Sequence, residues 1–177
     1  MMDASAVTEL VSAFSQDSKS RELVLQLLEH TPAPFSRAQF APGHITATGL
    51  VLHPDRNAFL LVHHKRLDRW LLPGGHVERD DPSIEHTARR EVVEETGAVL
   101  STDPAPLAGI DVHGIPAGKG EPYHLHHDLI FAFRATSAEV APTEEVRQVV
   151  WCEIAHWDGF GLPGSIRQAA QLAFASR

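Results

Sequence analysis

Gly74-Gly75-His76-Val77-Glu78, followed by Arg89-Arg90-Glu91-Val92-Val93-Glu94-Glu95-Thr96-Gly97, is the stretch on which the reading of this chain turns. Between its two parts, Asp81-Pro82 offers a helix N-cap with proline at the first helical position, and Gly97 is suited to the left-handed conformation that ends a helix. A helix is therefore predicted over 82–96. At 100° per residue, Glu91, Glu94 and Glu95 fall within one arc of about 100° that overlaps the stripe of Ile84 and Ala88, which should face protein. Three carboxylates point toward one place. Glu91 repels the other two at i+3 and i+4, and all three sit in the last turns, where the helix dipole also disfavours anions. Arg90, four residues before Glu94, offsets part of that charge. A hard divalent cation, Mg²⁺ or Mn²⁺, offsets more, because such ions prefer carboxylate and carbonyl oxygens and keep waters that a phosphate replaces. The plain alternative is a solvated acidic face. Gly74 and Gly75 weigh against it, since a glycine pair between a strand and this helix lets backbone approach a ligand or ion closely.

Working outward, Trp70-Leu71-Leu72 reads as a short strand running into Pro73 and the glycines. Upstream, 45–52 and 58–62 read as two strands joined across Pro54-Asp55-Arg56-Asn57. Downstream strands are predicted at 107–112, 123–135 and 146–152, with a terminal helix over 165–175. This order of elements predicts an α/β or α+β sandwich. At the N-terminus, Val7, Leu10, Val11 and Phe14, then Val24, Leu27 and Leu28, repeat at helical spacing, with Asp17 and Ser18 as caps between two short helices over 4–15 and 19–30. The turn-rich Thr31-Pro32-Ala33-Pro34 and Ala41-Pro42-Gly43 separate an N-terminal helical extension and linker, 1–42, from a catalytic-type domain, 43–177. The two helices are expected to pack on that domain or on a second copy of the chain in a homodimer.

Composition narrows the partners. The 177 residues carry 15 Lys plus Arg against 23 Asp plus Glu, a formal charge of −8, and no basic run, which disfavours a nucleic-acid polymer. The single cysteine, Cys152, cannot form an internal disulfide or build a cysteine-based zinc site and reads as a small buried residue. The first residues lack the positive charge of a signal peptide, and no apolar run approaches the roughly 18 residues of a membrane span. A cytoplasmic protein without membrane contact is expected.

The stretch resembles the Nudix box of the Nudix (MutT-like) hydrolases, G-x5-E-x7-R-E-U-x-E-E-x-G-U, where U is bulky and apolar. Arg90, Glu91, Val92, Glu94, Glu95 and Gly97 meet its second half in sequence. The first half departs: counted from Gly75, the family's glutamate falls on Asp81, and eight residues instead of seven separate Asp81 from Arg90, while Ala98 is smaller than usual. The box therefore carries one extra residue, and Asp80, Asp81 or Glu85 takes the place from which the first acid supports the arginine. The resemblance implies a Nudix-like α/β/α sandwich around a mixed sheet and hydrolysis of a nucleoside diphosphate linked to another group. It implies Mg²⁺ or Mn²⁺ as cofactor, held by Glu91, Glu94, Glu95 and the Gly74 carbonyl, with Arg90 orienting the acids and one glutamate or a downstream acid as general base. A multi-carboxylate metal cluster suits this reaction, because cleaving a diphosphate needs charge neutralisation and an activated in-line water.

Gly75 and Glu78 are further candidates for substrate binding, Glu78 being equally a plain loop carboxylate. His124-x-His126-x-Asp128 places three polar groups on one face of a predicted strand, where they bind phosphate or another metal or serve structure. Among the other histidines, His63, His64, His76 and His113 carry weaker signals. Trp70, Tyr123, Trp157 and Phe160 stack on a base or fill the core, and Lys119 in the loop from Gly114 to Gly120 reaches a phosphate or stays in solvent. Two rival functions follow from the resemblance: a noncatalytic nucleotide-binding or regulatory module on the same fold, and an isoprenoid-diphosphate isomerase. The intact glutamates oppose the first, and the late position of Cys152 opposes the second. Positions 112–115 read Val-His-Gly-Ile, which does not supply the proline or tyrosine that marks some ADP-ribose and dinucleoside polyphosphate enzymes of the family, so the linked group stays unnamed.

Overall fold

The computed structural model describes residues 2–16, 18–118 and 120–176, so the proposed cap Asp17 and the loop residue Lys119 lie outside the described residues. The chain runs through α1 (Ala4–Ala13), α2 (Ser18–His30), β1 (Gly43–Leu52), β2 (Ala58–His64), β3 (Arg69–Leu71), β4 (Gly74–His76), α3 (Ile84–Thr96), β5 (Leu107–Ile115), β6 (His124–Arg134), β7 (Val146–Glu153), a 3₁₀ segment (Ile154–Phe160) and α4 (Gly164–Ala175).

The strands form one seven-stranded mixed sheet with the path β3-β2-β1-β6-β5, in which β4 joins β1 and β7 joins β2. β1 touches β2 only beside their turn, at Leu52 and Phe59. Along its whole length it runs parallel to β6, from Gly43 beside Leu125 to Leu52 beside Arg134. A strand flanked on both sides and covered on both faces is shielded along its whole length, and every residue of β1 is buried, the polar His44, Thr46 and Thr48 included. Its two faces feed two cores. Ile45, Ala47 and Val51 pack with Leu129 and Phe131 under Ile84, Ala88 and Val92 of α3 and under Val7, Val11, Val24 and Leu27 of α1 and α2. Leu50 and Leu52 pack with Ile130 and Cys152 against Ile166, Ala169, Ala170 and Ala173 of α4. Each fully buried Val, Leu or Ile contributes roughly 1.5–3 kcal/mol. Helices therefore cover both faces of the sheet, as predicted, and α1 and α2 find their partner in the chain's own sheet.

Two local expectations are corrected. Gly74-Gly75-His76, read as part of a loop, is a strand: it pairs antiparallel with β1, setting Thr46 opposite His76, Ala47 opposite Gly75 and Thr48 opposite Gly74. The pairing partner imposes this conformation on residues with little strand preference of their own. The helix also starts later, because its N-cap is Ser83, whose hydroxyl accepts the His86 N–H at 3.1 Å. Asp81 is drawn away by a stronger partner, described below. The helix ends as expected at Gly97, with φ 64° and its N–H bonded to the Val93 carbonyl at 2.9 Å.

Candidate active site

Arg90 is the hub of the box. Its Nε and Nη2 donate to Asp81 Oδ1 and Oδ2 at 3.1 Å each, Nη2 also reaches the His76 carbonyl at 2.9 Å, and Nη1 reaches Glu91 at 3.0 Å and Glu94 at 2.9 Å. A planar guanidinium is suited to this fork, and the fixed fork sets where two of the three glutamates can stand. Asp81 is buried and accepts two more hydrogen bonds, from the Glu78 N–H at 2.9 Å and the Thr87 hydroxyl at 2.8 Å. Burial pushes its carboxyl up, but Arg90, the Glu78 N–H and Thr87 outweigh burial and hold it below the usual aspartate range. Of the three acids that sequence left open, Asp81 is the one on the arginine. Glu85 pairs instead with Arg89 at 2.7 Å, and Asp80 is exposed.

The glutamates divide by environment. Glu95 is buried and its carboxylate accepts the Gly74 N–H at 3.0 Å. Burial pushes it to about 8, against the Gly74 hydrogen bond and with added repulsion from Glu91, Glu145 and Glu94. Glu91 lies against Gly75, where a Cβ would stand 2.6 Å from its Oε1, so only glycine leaves room for this carboxylate. Burial raises it to about 7, Arg90 opposes that, and Glu94 and Glu145 add to it. Glu94 is half-exposed, held by Arg90 from the solvent side. Glu78 is more exposed still, 4.0 Å from Arg90. The buried Glu95 and the partly buried Glu91, which repel each other beside the two glycines of β4, form an oxygen-only donor set suited to a hard divalent cation. Glu145, just ahead of β7, acts on both Glu91 and Glu95 and was not singled out by sequence, since nothing local marks it.

Across β4 from these acids opens a cavity of about 340 Å³, lined by Gly74 and Gly75 and by Trp70, His113, His126, Asp128 and Phe160 among others. Trp70 and Phe160 meet edge to face at 5.2 Å. His113 bonds Asp111 at 2.8 Å, which raises the imidazole pKa and lowers that of the carboxyl. Asp128 accepts hydroxyl bonds from Thr46 at 2.9 Å and from Thr48 at 2.6 and 2.7 Å, while burial pushes its carboxyl up. Apolar walls with a few aimed polar groups are the usual makeup of a small-molecule site.

Comparison with known proteins fits this arrangement: residues 43–167 match the NUDIX domain. The chain belongs to the NUDIX family. The family read from the box is thereby borne out, and with it the class of pyrophosphohydrolase enzymes. Similar solved structures include an Ap4A hydrolase from C. elegans, with TM-score 0.55 and 16% identity over 75% of this chain and 95% of that one. They also include an ADP-ribose pyrophosphatase from Streptococcus suis, with TM-score 0.52 and 19% identity over 75% and 91%. A third is a NUDIX-family hydrolase from Clostridium perfringens, with TM-score 0.55 and 22% identity over 76% and 98%. These likenesses show the fold.

Within this NUDIX domain, His124, His126 and Asp128 do share one face of β6, but they part company. His126 and Asp128 line the cavity, whereas His124 sits against His44 and Phe40, each with ring centroids 5.1 Å away. Tyr123 is exposed and lies over Gly114. Trp157 packs at the edge of the second core under the Arg167 guanidinium. His44, which nothing in the local sequence marks, and His76 join the His124 and His126 rings, because the parallel register sets His44 beside His126.

Proposed function

We propose that this NUDIX protein hydrolyses the diphosphate linkage of a small nucleoside diphosphate derivative, using Mg²⁺ or Mn²⁺ held by Glu91, Glu94 and Glu95 with the Gly74 carbonyl. The observation that carries this reading is the pressing of the mutually repelling carboxylates of buried Glu95 and partly buried Glu91 against the two glycines of β4, next to the cavity. A divalent ion there supplies Lewis-acid neutralisation of phosphate charge and makes water more acidic.

The chain's own residues do the rest. Arg90, fixed by Asp81, holds Glu91 and Glu94 in orientation. Gly74 and Gly75 admit the phosphates close to the acids, and Trp70 and Phe160 offer aromatic surfaces to a base. His126, Asp128 and the Asp111–His113 pair present polar groups to the remainder of the ligand, and Glu78 meets it from solvent. Glu145 serves as the downstream acid that accepts a proton from the attacking water, a role supported by its electrostatic effect on both Glu91 and Glu95. The names of two structural relatives, an Ap4A hydrolase and an ADP-ribose pyrophosphatase, fit a small nucleotide derivative as substrate. No described helix is long and apolar enough to cross a membrane. That agrees with the cytoplasmic setting we infer from the lone buried cysteine.

The test is a product-resolved screen of nucleotide and nucleotide-sugar diphosphates with Mg²⁺ and Mn²⁺ titration. Release of two phosphorylated products, or of a nucleotide and a phosphorylated partner, supports the proposal. Tight binding of one compound without turnover supports the noncatalytic module instead.

A further inference from the structure

The strand pairing gathers imidazoles that lie far apart in sequence. His44 is beside His126 in the parallel β1–β6 register, and His124 follows on the same face two residues earlier. One nitrogen from each of the three lies within 4.8 Å of those of the other two. Ring centroids are 4.8 Å apart for His44 and His126, 5.1 Å for His44 and His124, and 5.3 Å for His124 and His126.

The tautomers are set by the backbone. His44 Nδ1 is 3.0 Å from the Gln39 carbonyl and His124 Nδ1 is 2.8 Å from the Pro122 carbonyl. A carbonyl only accepts, so each Nδ1 carries the hydrogen and each Nε2 presents a lone pair. This is the arrangement that orients metal-binding histidines, whose outer nitrogen is held by a carbonyl or carboxylate. His44 is 1% exposed, yet its Nε2 is buried with no hydrogen-bond partner. Leaving such an acceptor unmade costs about 1–3 kcal/mol, so a buried ring held in this state calls for a ligand.

We propose that His44, His124 and His126 form a binding site for a nitrogen-preferring transition metal of the Zn²⁺ class, separate from the carboxylate site of the box. Three imidazole nitrogen donors select Zn²⁺ over Mg²⁺, which prefers oxygen. Closing to tetrahedral geometry with bonds of about 2.0–2.1 Å brings the donor nitrogens to roughly 3.3 Å from one another, a movement that small ring rotations supply. His76, with ring centroids 5.1 Å from His44 and 5.2 Å from His126, stands beside the remaining coordination position. The ion would tie the start of β1 and the linker residue Gln39 to the start of β6. It would also fix His126, which faces the cavity. This site stands whether or not the protein is a hydrolase.

The full chain, stripped of metal by a chelator and dialysed, is titrated with Zn²⁺ in the presence of millimolar Mg²⁺. One Zn²⁺ retained per chain is expected. His124→Asn and His126→Asn should each weaken Zn²⁺ binding at least about 10-fold, while Glu91→Gln and Glu95→Gln leave it unchanged. Wild-type protein carrying ¹⁵N-histidine gives a reading that needs no variant: stoichiometric Zn²⁺ should shift the Nε2 signals of His44 and His124. The proposal is overturned if no Zn²⁺ is retained, if only the glutamate variants lose it, if the histidine variants keep it, or if those signals stay in place at saturation. Each of these outcomes leaves a packed cluster of rings without a metal.

Discussion

Asp81 holds Arg90 by two hydrogen bonds of 3.1 Å across nine residues of sequence, with the carboxylate nearly inaccessible and the guanidinium largely so. Removing the buried carboxylate breaks the two-pronged grip on Arg90 and leaves it, among the described residues, only Glu91 and Glu94 as charged partners within hydrogen-bond reach, both on Nη1. Asp81→Asn is expected to cost about 3 kcal/mol of stability and, by freeing Arg90 to swing, to lower turnover by roughly 10–100-fold. Chemical denaturation and initial rates check both. A variant with wild-type stability and rate would remove Asp81 from its position as the anchor of the arginine.

Glu94→Gln and Glu95→Gln keep side-chain volume while removing a charge, and the glutamine oxygen at 95 can still accept the Gly74 N–H. Each is expected to lower kcat by about 100-fold or more, equivalent to about 3 kcal/mol in the barrier, with the fold intact. Rates measured across a Mg²⁺ titration decide it, and full turnover in either variant sinks the assignment of these acids.

Most of the fold was readable from local pattern: the helices over 4–15, 19–30 and 165–175 and the strands at 45–52, 107–112 and 146–152 all lie within a few residues of their observed ends. Period and turn chemistry are written in neighbouring residues, and so was the second half of the box. The misses share a cause. Gly74-Gly75-His76 is a strand only because β1 lies beside it, and Asp81 abandons the cap because Arg90, in the second turn of the helix, offers more. His44 and His126 are 82 residues apart, and Glu145 is 50 residues from Glu95. Their proximity is a product of tertiary pairing that no window of sequence contains.

Gly75→Ala introduces a methyl group 2.6 Å from Glu91 Oε1, too close for any side chain to remain where it is. Glu91 must move out of the cradle. Mg²⁺-dependent activity is expected to fall at least about 10-fold, with far-ultraviolet circular dichroism unchanged. Equal activity in Gly75→Ala and wild type would show that the position of Glu91 is not demanding.

Glu145→Gln tests proton transfer separately from ion binding. The expected result is a fall in kcat of about 100-fold, a KM close to wild type and an unaltered Mg²⁺ requirement. A rise in the Mg²⁺ concentration needed for half-maximal rate, with kcat preserved, would reassign Glu145 from base to ligand.

The Asp111–His113 pair carries a pH signature. His113 has a raised pKa because it bonds Asp111, so its contribution to stability is complete below its ordinary value of 6.5 and is lost as pH rises through the folded value. His113→Asn should therefore destabilise the protein near pH 6 and have little effect near pH 9. Because 37% of the side chain is exposed, the loss is expected to stay below about 1 kcal/mol. Thermal melts at the two pH values check the sign, and an effect larger at the alkaline end contradicts it.

The two glycines of β4 make the partition between the acids and the cavity a single peptide thick. In the proposed reaction a substrate would offer its diphosphate to the acids and its remaining groups to the cavity, each met by a different set of walls. On that reading the α4 side could be remodelled during divergence, residue by residue, to admit a new leaving group while the acids of α3 stay untouched.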